Sequence, residues 1–141
     1  MMKSKANLFL IGAAKSGTTA LAATLGQHPA IAPLPIKEPG HFSTDLRTPV
    51  FSSRYNRLLQ WDEAAYFKKS PLEERHIGFV ESELNYQKLV NQALTSNPDS
   101  KYVLDASTAY LYSANAPAQL RHYAPDAKIV LLLRNPIDRA Y

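Results

Sequence analysis

The stretch from Leu8 to Gln27 constrains this chain more than any other. Leu8-Phe9-Leu10-Ile11 is a short continuous apolar run, the pattern of a strand buried on both faces. Gly12-Ala13-Ala14-Lys15-Ser16-Gly17-Thr18-Thr19 follows it. Thr18 to Gln27 is rich in Ala and Leu and stops before His28-Pro29, as a helix would. Strand, tight loop and helix thus come in immediate succession. The first N–H groups of a helix have no partner inside it and carry the positive end of its dipole. Lys15 adds a full charge there, and Ser16, Thr18 and Thr19 add hydroxyls. Small residues let a ligand approach the backbone. Together they make a cradle for a phosphate-like or sulfate-like group. The spacing is not that of a Walker A loop, in which Lys follows the second Gly directly. Here Lys15 lies two residues before Gly17, and Thr18-Thr19 follow it.

The rest of the chain alternates strands and helices. Ala30 to Leu34 is a second strand candidate, Tyr102-Val103-Leu104 a third, and Lys128 to Leu133 the most strongly apolar strand. Leu84, Leu89, Val90, Ala93 and Leu94 recur at helical spacing and predict a helix over Ser82 to Thr95. Pro117 to Tyr123 reads as a helix with Pro near its first turn, and Asn135-Pro136 as the cap and first residue of another. Asp45 to Ser70 mixes aromatics (Phe51, Tyr55, Trp61, Tyr66, Phe67) with cations and predicts short helices and loops. Its aromatics suit packing more than stacking on a sugar. This alternation predicts an α/β fold, a parallel sheet flanked by helices.

Composition narrows the function. With no Cys there is no disulfide scaffold, thiolate metal site or Cys nucleophile, which agrees with a reducing, cytoplasmic compartment. The net charge is only +4 and the basic residues are scattered, so a small anionic ligand is expected rather than nucleic acid. The apolar run after Lys3 and Lys5 is too short for the h-region of most signal peptides and far too short to span a bilayer. His28, His76 and His122 show no metal-ligand spacing to one another.

Lys15-Ser16-Gly17-Thr18-Thr19-Ala20-Leu21 resembles the 5′-phosphosulfate loop of the sulfotransferases that use 3′-phosphoadenosine 5′-phosphosulfate (PAPS) as sulfonyl donor. The resemblance implies that Lys15 stabilises the leaving phosphate and that Ser16, Gly17, Thr18 and Thr19 hold the 5′-phosphate, with no metal. Residues 128–141, with Arg134-Asn135-Pro136-Ile137-Asp138-Arg139-Ala140 after an apolar strand, resemble the family's 3′-phosphate segment. Arg134 would pair with that phosphate, a task suited to a two-pronged guanidinium. Lys37-Glu38-Pro39-Gly40-His41-Phe42 is similar to the Lys-Glu-Pro-His-Phe segment of the carbohydrate-type branch, which includes heparan sulfate sulfotransferases and bacterial relatives. There the Glu is the general base, so Glu38 takes that role. Gly40 shifts His41 by one position, which leaves His41 as the alternative base or a substrate contact. Asp105-Ala106-Ser107-Thr108-Ala109-Tyr110 resembles the acidic-x-Ser-Pro-x-Tyr segment of bacterial members, with Thr108 where Pro is common. Asp105 and Ser107 either line the acceptor side or form a plain turn at a strand end.

The expectation is a bacterial-type, P-loop-like sulfotransferase domain over residues 1–141, with loop 12–19 and segment 128–141 as its donor-binding parts. It would move a sulfonyl group from PAPS to a hydroxyl or amine of a carbohydrate or small-molecule acceptor. The stop at Tyr141 falls one residue before the family's Ser, so the chain reads as the N-terminal portion of a longer domain. Two alternatives stand beside it. One is an ATP- or GTP-using P-loop kinase or NTPase, with Val103-Leu104-Asp105 as a Walker B strand end. The other is a truncated, non-catalytic nucleotide-binding fragment.

Overall fold

The computed structural model describes residues 4–46 and 61–140. Its elements follow from the apolar runs. In chain order they are β1 (Leu8–Leu10), α1 (Thr18–Gly26), β2 (Ile31–Pro33), β3 (Ile36–Glu38), α2 (Glu63–Tyr66), β4 (Arg75–Ile77) and α3 (Glu83–Ser96). Then come β5 (Tyr102–Asp105), α4 (Ala116–Tyr123), β6 (Lys128–Val130) and α5 (Pro136–Ala140). Two 3-10 turns, Thr44–Leu46 and Thr108–Leu111, complete the set.

Four strands form a parallel sheet in the order β2-β5-β1-β6. A central strand with helices on both sides must be apolar on both faces, and Leu8, Phe9 and Leu10 are all buried. The period of two sorts them. Phe9 and Val103 belong to a larger core with Tyr86, Leu89 and Val90 of α3 and Leu120 of α4. Leu8, Leu10 and Leu104 face the other way, against Ala22, Leu21 and Leu25 of α1. Each such apolar side chain contributes roughly 1.5–3 kcal/mol on burial.

Several elements stand where the sequence places them. Helix α3 starts on Ser82, whose hydroxyl accepts the Asn85 N–H. Its buried stripe is Tyr86, Leu89, Val90 and Ala93, whereas Leu84, counted in the apolar pattern, is 69% exposed. Asn135 caps α5 by accepting the Ile137 N–H at 2.9 Å.

Other elements differ. The strand predicted over Lys128 to Leu133 is regular only to Val130, and among the described residues it lies at the edge of the sheet. Ile129 is 51% exposed and Leu133 69%; among the described residues β6 pairs with β1 alone. A second sheet, of β3 and β4 in parallel, pairs Ile36 with Arg75 and Glu38 with Ile77. Neither strand was predicted. Each is three residues long with polar members, too short for periodicity to register. Of the irregular segment, residues 47–60, with Phe51 and Tyr55, lie outside the described residues. Trp61, Tyr66 and Phe67 pack on one another, with Trp61–Tyr66 centroids 5.2 Å apart and Tyr66–Phe67 centroids 5.0 Å apart.

Candidate active site

The loop between β1 and α1 lies at the carboxyl end of the sheet, where ligands of open parallel sheets bind. Its shape depends on Gly17, which caps α1 at φ 92°, in the left-handed region that disfavours a side chain. Lys15 also has a positive φ, 61°. Among the described residues no side chain caps α1, and no acidic residue stands in its first turn. Thr18 is buried there, and so is Ser16, whose Oγ has no hydrogen-bond partner among the described residues. Leaving a buried hydroxyl unpaired costs about 1–3 kcal/mol. An orphan donor beside open helix N–H groups is the signature of an oxyanion site, so these residues fit a phosphate or sulfonate group.

A cleft of about 640 Å³ opens in front of this loop. Lys15, Gly17, Thr18 and Thr19 line it together with Glu38, Gly40, Ser107 and Thr108. Glu38 ends β3, and its carboxylate is held by both oxygens. Oε1 is 2.9 Å from Lys37 Nζ, and Oε2 accepts the Thr108 hydroxyl at 3.0 Å. Thus the anion loop and the carboxylate expected as base share one cavity, although 23 residues separate Lys15 from Glu38 in sequence.

His41 is placed differently. Gly40 turns the chain at φ 57°, its N–H donates to Ser107 Oγ at 3.1 Å, and a Cβ on it would fall 2.8 Å from a Phe79 ring carbon. Past this turn the His41 ring stacks on Tyr86 with centroids 4.4 Å apart, and its Nδ1 lies 2.8 Å from the Val80 carbonyl oxygen. His41 lines a second cavity, with Lys5 and Glu83, and not the cleft of Lys15 and Glu38.

Asp105 and Ser107 take separate places. Ser107 lines the cleft; Asp105 is buried behind it. Asp105 accepts hydrogen bonds from Ser107 Oγ at 2.7 Å and from the Tyr86 and Tyr110 hydroxyls at 2.8 Å each. Burial pushes its carboxyl up to about 6, and the three hydroxyl donors only partly offset that. A Walker B role needs an aspartate open to the cleft, and Asp105 is enclosed by the hydroxyls of Ser107, Tyr86 and Tyr110.

Arg134 is exposed and lies outside the lining of the cleft. The tail that carries it is tied to the anion loop. Ala13 N–H donates to the Leu132 carbonyl at 2.7 Å, and Leu132 N–H to the Gly12 carbonyl at 2.9 Å. Sequence reasoning did not anticipate the cleft residues Thr108, His76, Phe79 and Tyr112. The one available signal was Thr108 standing where the resembling segment has Pro. Among the described residues no cluster of His, Asp and Glu could hold a metal ion, and no helix is long and apolar enough to cross a membrane.

Comparison with known proteins identifies the family. The Sulfotransferase family model matches residues 7–141. The chain belongs to the sulfotransferase family. Two similar proteins are the bifunctional heparan sulfate N-deacetylase/N-sulfotransferases 1 of Caenorhabditis elegans and Homo sapiens. The first is 31% identical over 140 residues, covering 99% of this chain and 12% of its own length. The second is 30% identical over 139 residues, covering 95% and 12%. The crystal structure of a sulfotransferase from Alicyclobacillus acidocaldarius superposes with a TM-score of 0.72 at 30% identity, over 96% of this chain and 47% of that one. The chain therefore spans a small fraction of the curated relatives and about half of the bacterial sulfotransferase. The family implies a sulfonyl donor and gives no support to the kinase or NTPase alternative.

Proposed function

We propose that this chain supplies the donor cradle and the general base of a sulfotransferase that moves a sulfonyl group from PAPS to a hydroxyl or amine of a carbohydrate acceptor. The observation that carries it is the cleft shared by Lys15 and Glu38, backed by the buried Ser16 hydroxyl just before α1, which has no hydrogen-bond partner among the described residues. PAPS is a substrate here, and the chemistry it brings is an activated sulfonyl on a phosphate leaving group. In the transfer the bond between sulfur and the bridging phosphate oxygen breaks, and a bond from sulfur to the acceptor oxygen or nitrogen forms. The bridging electron pair stays on the phosphate, where Lys15 meets its charge. Glu38 takes the acceptor proton. Ser16, Thr18, Thr19 and the N–H groups of α1 hold the 5′-phosphate, and Arg134 holds the 3′-phosphate. Catalysis of this kind rests on positioning and fixed charge. The place of His41, stacked on Tyr86 away from the cleft, supports Glu38 as the base.

Calorimetric titration with adenosine 3′,5′-bisphosphate and a transfer assay with labelled PAPS and N-desulfated heparan sulfate test this reading. Lys15→Ala should lower turnover by about 10²–10³-fold. Glu38→Gln should lower kcat by about 10²–10⁴-fold while leaving bisphosphate affinity unchanged. Mg²⁺-dependent ATP binding with no affinity for the bisphosphate would reject the reading.

A further inference from the structure

Glu38 sits at the end of a three-residue strand, and a glutamate side chain has three torsions to lose. A base displaced by an ångström loses on the order of 10²-fold in rate, so what holds Glu38 matters. Lys37 contacts Oε1, but Lys37 is the preceding residue on the same strand and moves with it. Thr108 is different. Its hydroxyl reaches Oε2 at 3.0 Å from a sequence separation of 70 residues, out of the 3-10 turn that follows β5. One residue earlier, the fully buried Ser107 accepts the Gly40 N–H at 3.1 Å and donates to Asp105 at 2.7 Å. The end of β5 thus grips the segment bearing Glu38 twice, once on its backbone and once on the carboxylate.

The backbone does not demand a threonine there. Ser107 at φ −109°, ψ 104° has the extended conformation that suits a residue before Pro. Position 108 opens the turn, where Pro is well tolerated. A Pro, as in the resembling bacterial segment, would bring no hydroxyl. What Thr108 adds to this chain is its bond to Glu38.

We propose that Thr108 is a positioning residue for Glu38, its hydroxyl pinning the carboxylate at the wall of the cleft. The inference rests on Glu38 being the base. Its test compares Thr108→Val, Thr108→Ser, Glu38→Gln and the Thr108→Val/Glu38→Gln double variant. Sulfonyl transfer from labelled PAPS to N-desulfated heparan sulfate is measured, and the crystal structures of the two Thr108 variants are determined. Thr108→Val should lower kcat about tenfold with the KM for PAPS unchanged, and should let the Glu38 carboxylate leave its position. Thr108→Ser should restore both. In the Glu38→Gln background Thr108→Val should cost nothing further, since the two residues act as one unit. Three results overturn the proposal. If Thr108→Val keeps Glu38 in place and full kcat while Glu38→Gln is inactive, the positioning role falls and the base stands. If Thr108→Val costs the same factor in both backgrounds, Thr108 acts by another route. If Glu38→Gln keeps full kcat, the base assignment itself falls and this inference with it. Where the isolated chain shows no turnover, the position of Glu38 in the variant structures decides.

Discussion

At Ser16 the stability of the fold and the proposed donor site meet in one side chain. Among the described residues its buried hydroxyl has no hydrogen-bond partner, a cost that a bound oxyanion would relieve. Ser16→Ala should therefore leave the free protein as stable as before, or more stable by up to about 1–3 kcal/mol in urea unfolding. The same change should weaken adenosine 3′,5′-bisphosphate binding about tenfold, since a hydrogen bond to a charged group is lost. Unchanged affinity would remove Ser16 from the donor site. Asp105 makes a second prediction at this scale. Its carboxyl stands at about 6 in the folded chain against 3.8 for the free side chain, so the folded state binds more protons between those values. Stability from this group is fully present below pH 3.8 and is lost as pH rises through about 6, by on the order of 3 kcal/mol. Relative to Asp105→Asn, the wild type should gain stability when the pH is lowered from about 7.5 to about 5. Parallel pH slopes for the two proteins would show that Asp105 is not the source.

At the scale of elements, α1 depends on its cap. Gly17 takes a left-handed φ, and an added Cβ would meet only Leu132, at 3.7 Å. The cost of a side chain there is conformational rather than steric. Gly17→Ala should lower the unfolding free energy by about 1–2 kcal/mol, and Gly17→Asn by less, because Asn tolerates that region better. Equal losses from the two variants would point to the space around residue 17 rather than its backbone. Elements were legible where a side-chain period spans enough residues to show. The β1–α1 unit, α3 and β5 are of that kind, and Asn135 announced α5 by its cap. In α3 the period was read through Leu84, whereas Tyr86 is the buried member, held by the Asp105 carboxylate that no local pattern reveals. Strands β3 and β4 were invisible because each exists only through the other's backbone. Strand β6 was overextended because an apolar run marks composition, not where regular strand pairing stops.

At the scale of the whole molecule, the site is assembled from three places. The β1–α1 loop brings Lys15, the end of β3 brings Glu38, and the turn after β5 brings Ser107 and Thr108. The tail after β6 is tied to the first of these through Gly12 and Ala13. If Arg134 on that tail takes the 3′-phosphate, Arg134→Ala should weaken adenosine 3′,5′-bisphosphate binding by about ten- to a hundredfold. Adenosine 5′-phosphosulfate lacks that phosphate, and its affinity should not change. Equal losses for both ligands in competition titrations would show that Arg134 does not read the 3′-position. The identities of these residues, and the family they point to, were readable locally. A phosphate cradle is built from consecutive backbone groups, and such motifs are written in consecutive letters. The sequence by itself thus pointed to the anion-binding loop, to the principal strands along the chain and to the candidate bases. Only the tertiary structure decided between Glu38 and His41 as the lining of the cleft. It did so through the turn at Gly40, which Phe79 and Ser107 enclose from distant parts of the chain. Likewise only folding brought Thr108 to Glu38, because a hydrogen bond across 70 residues depends on which strands lie side by side.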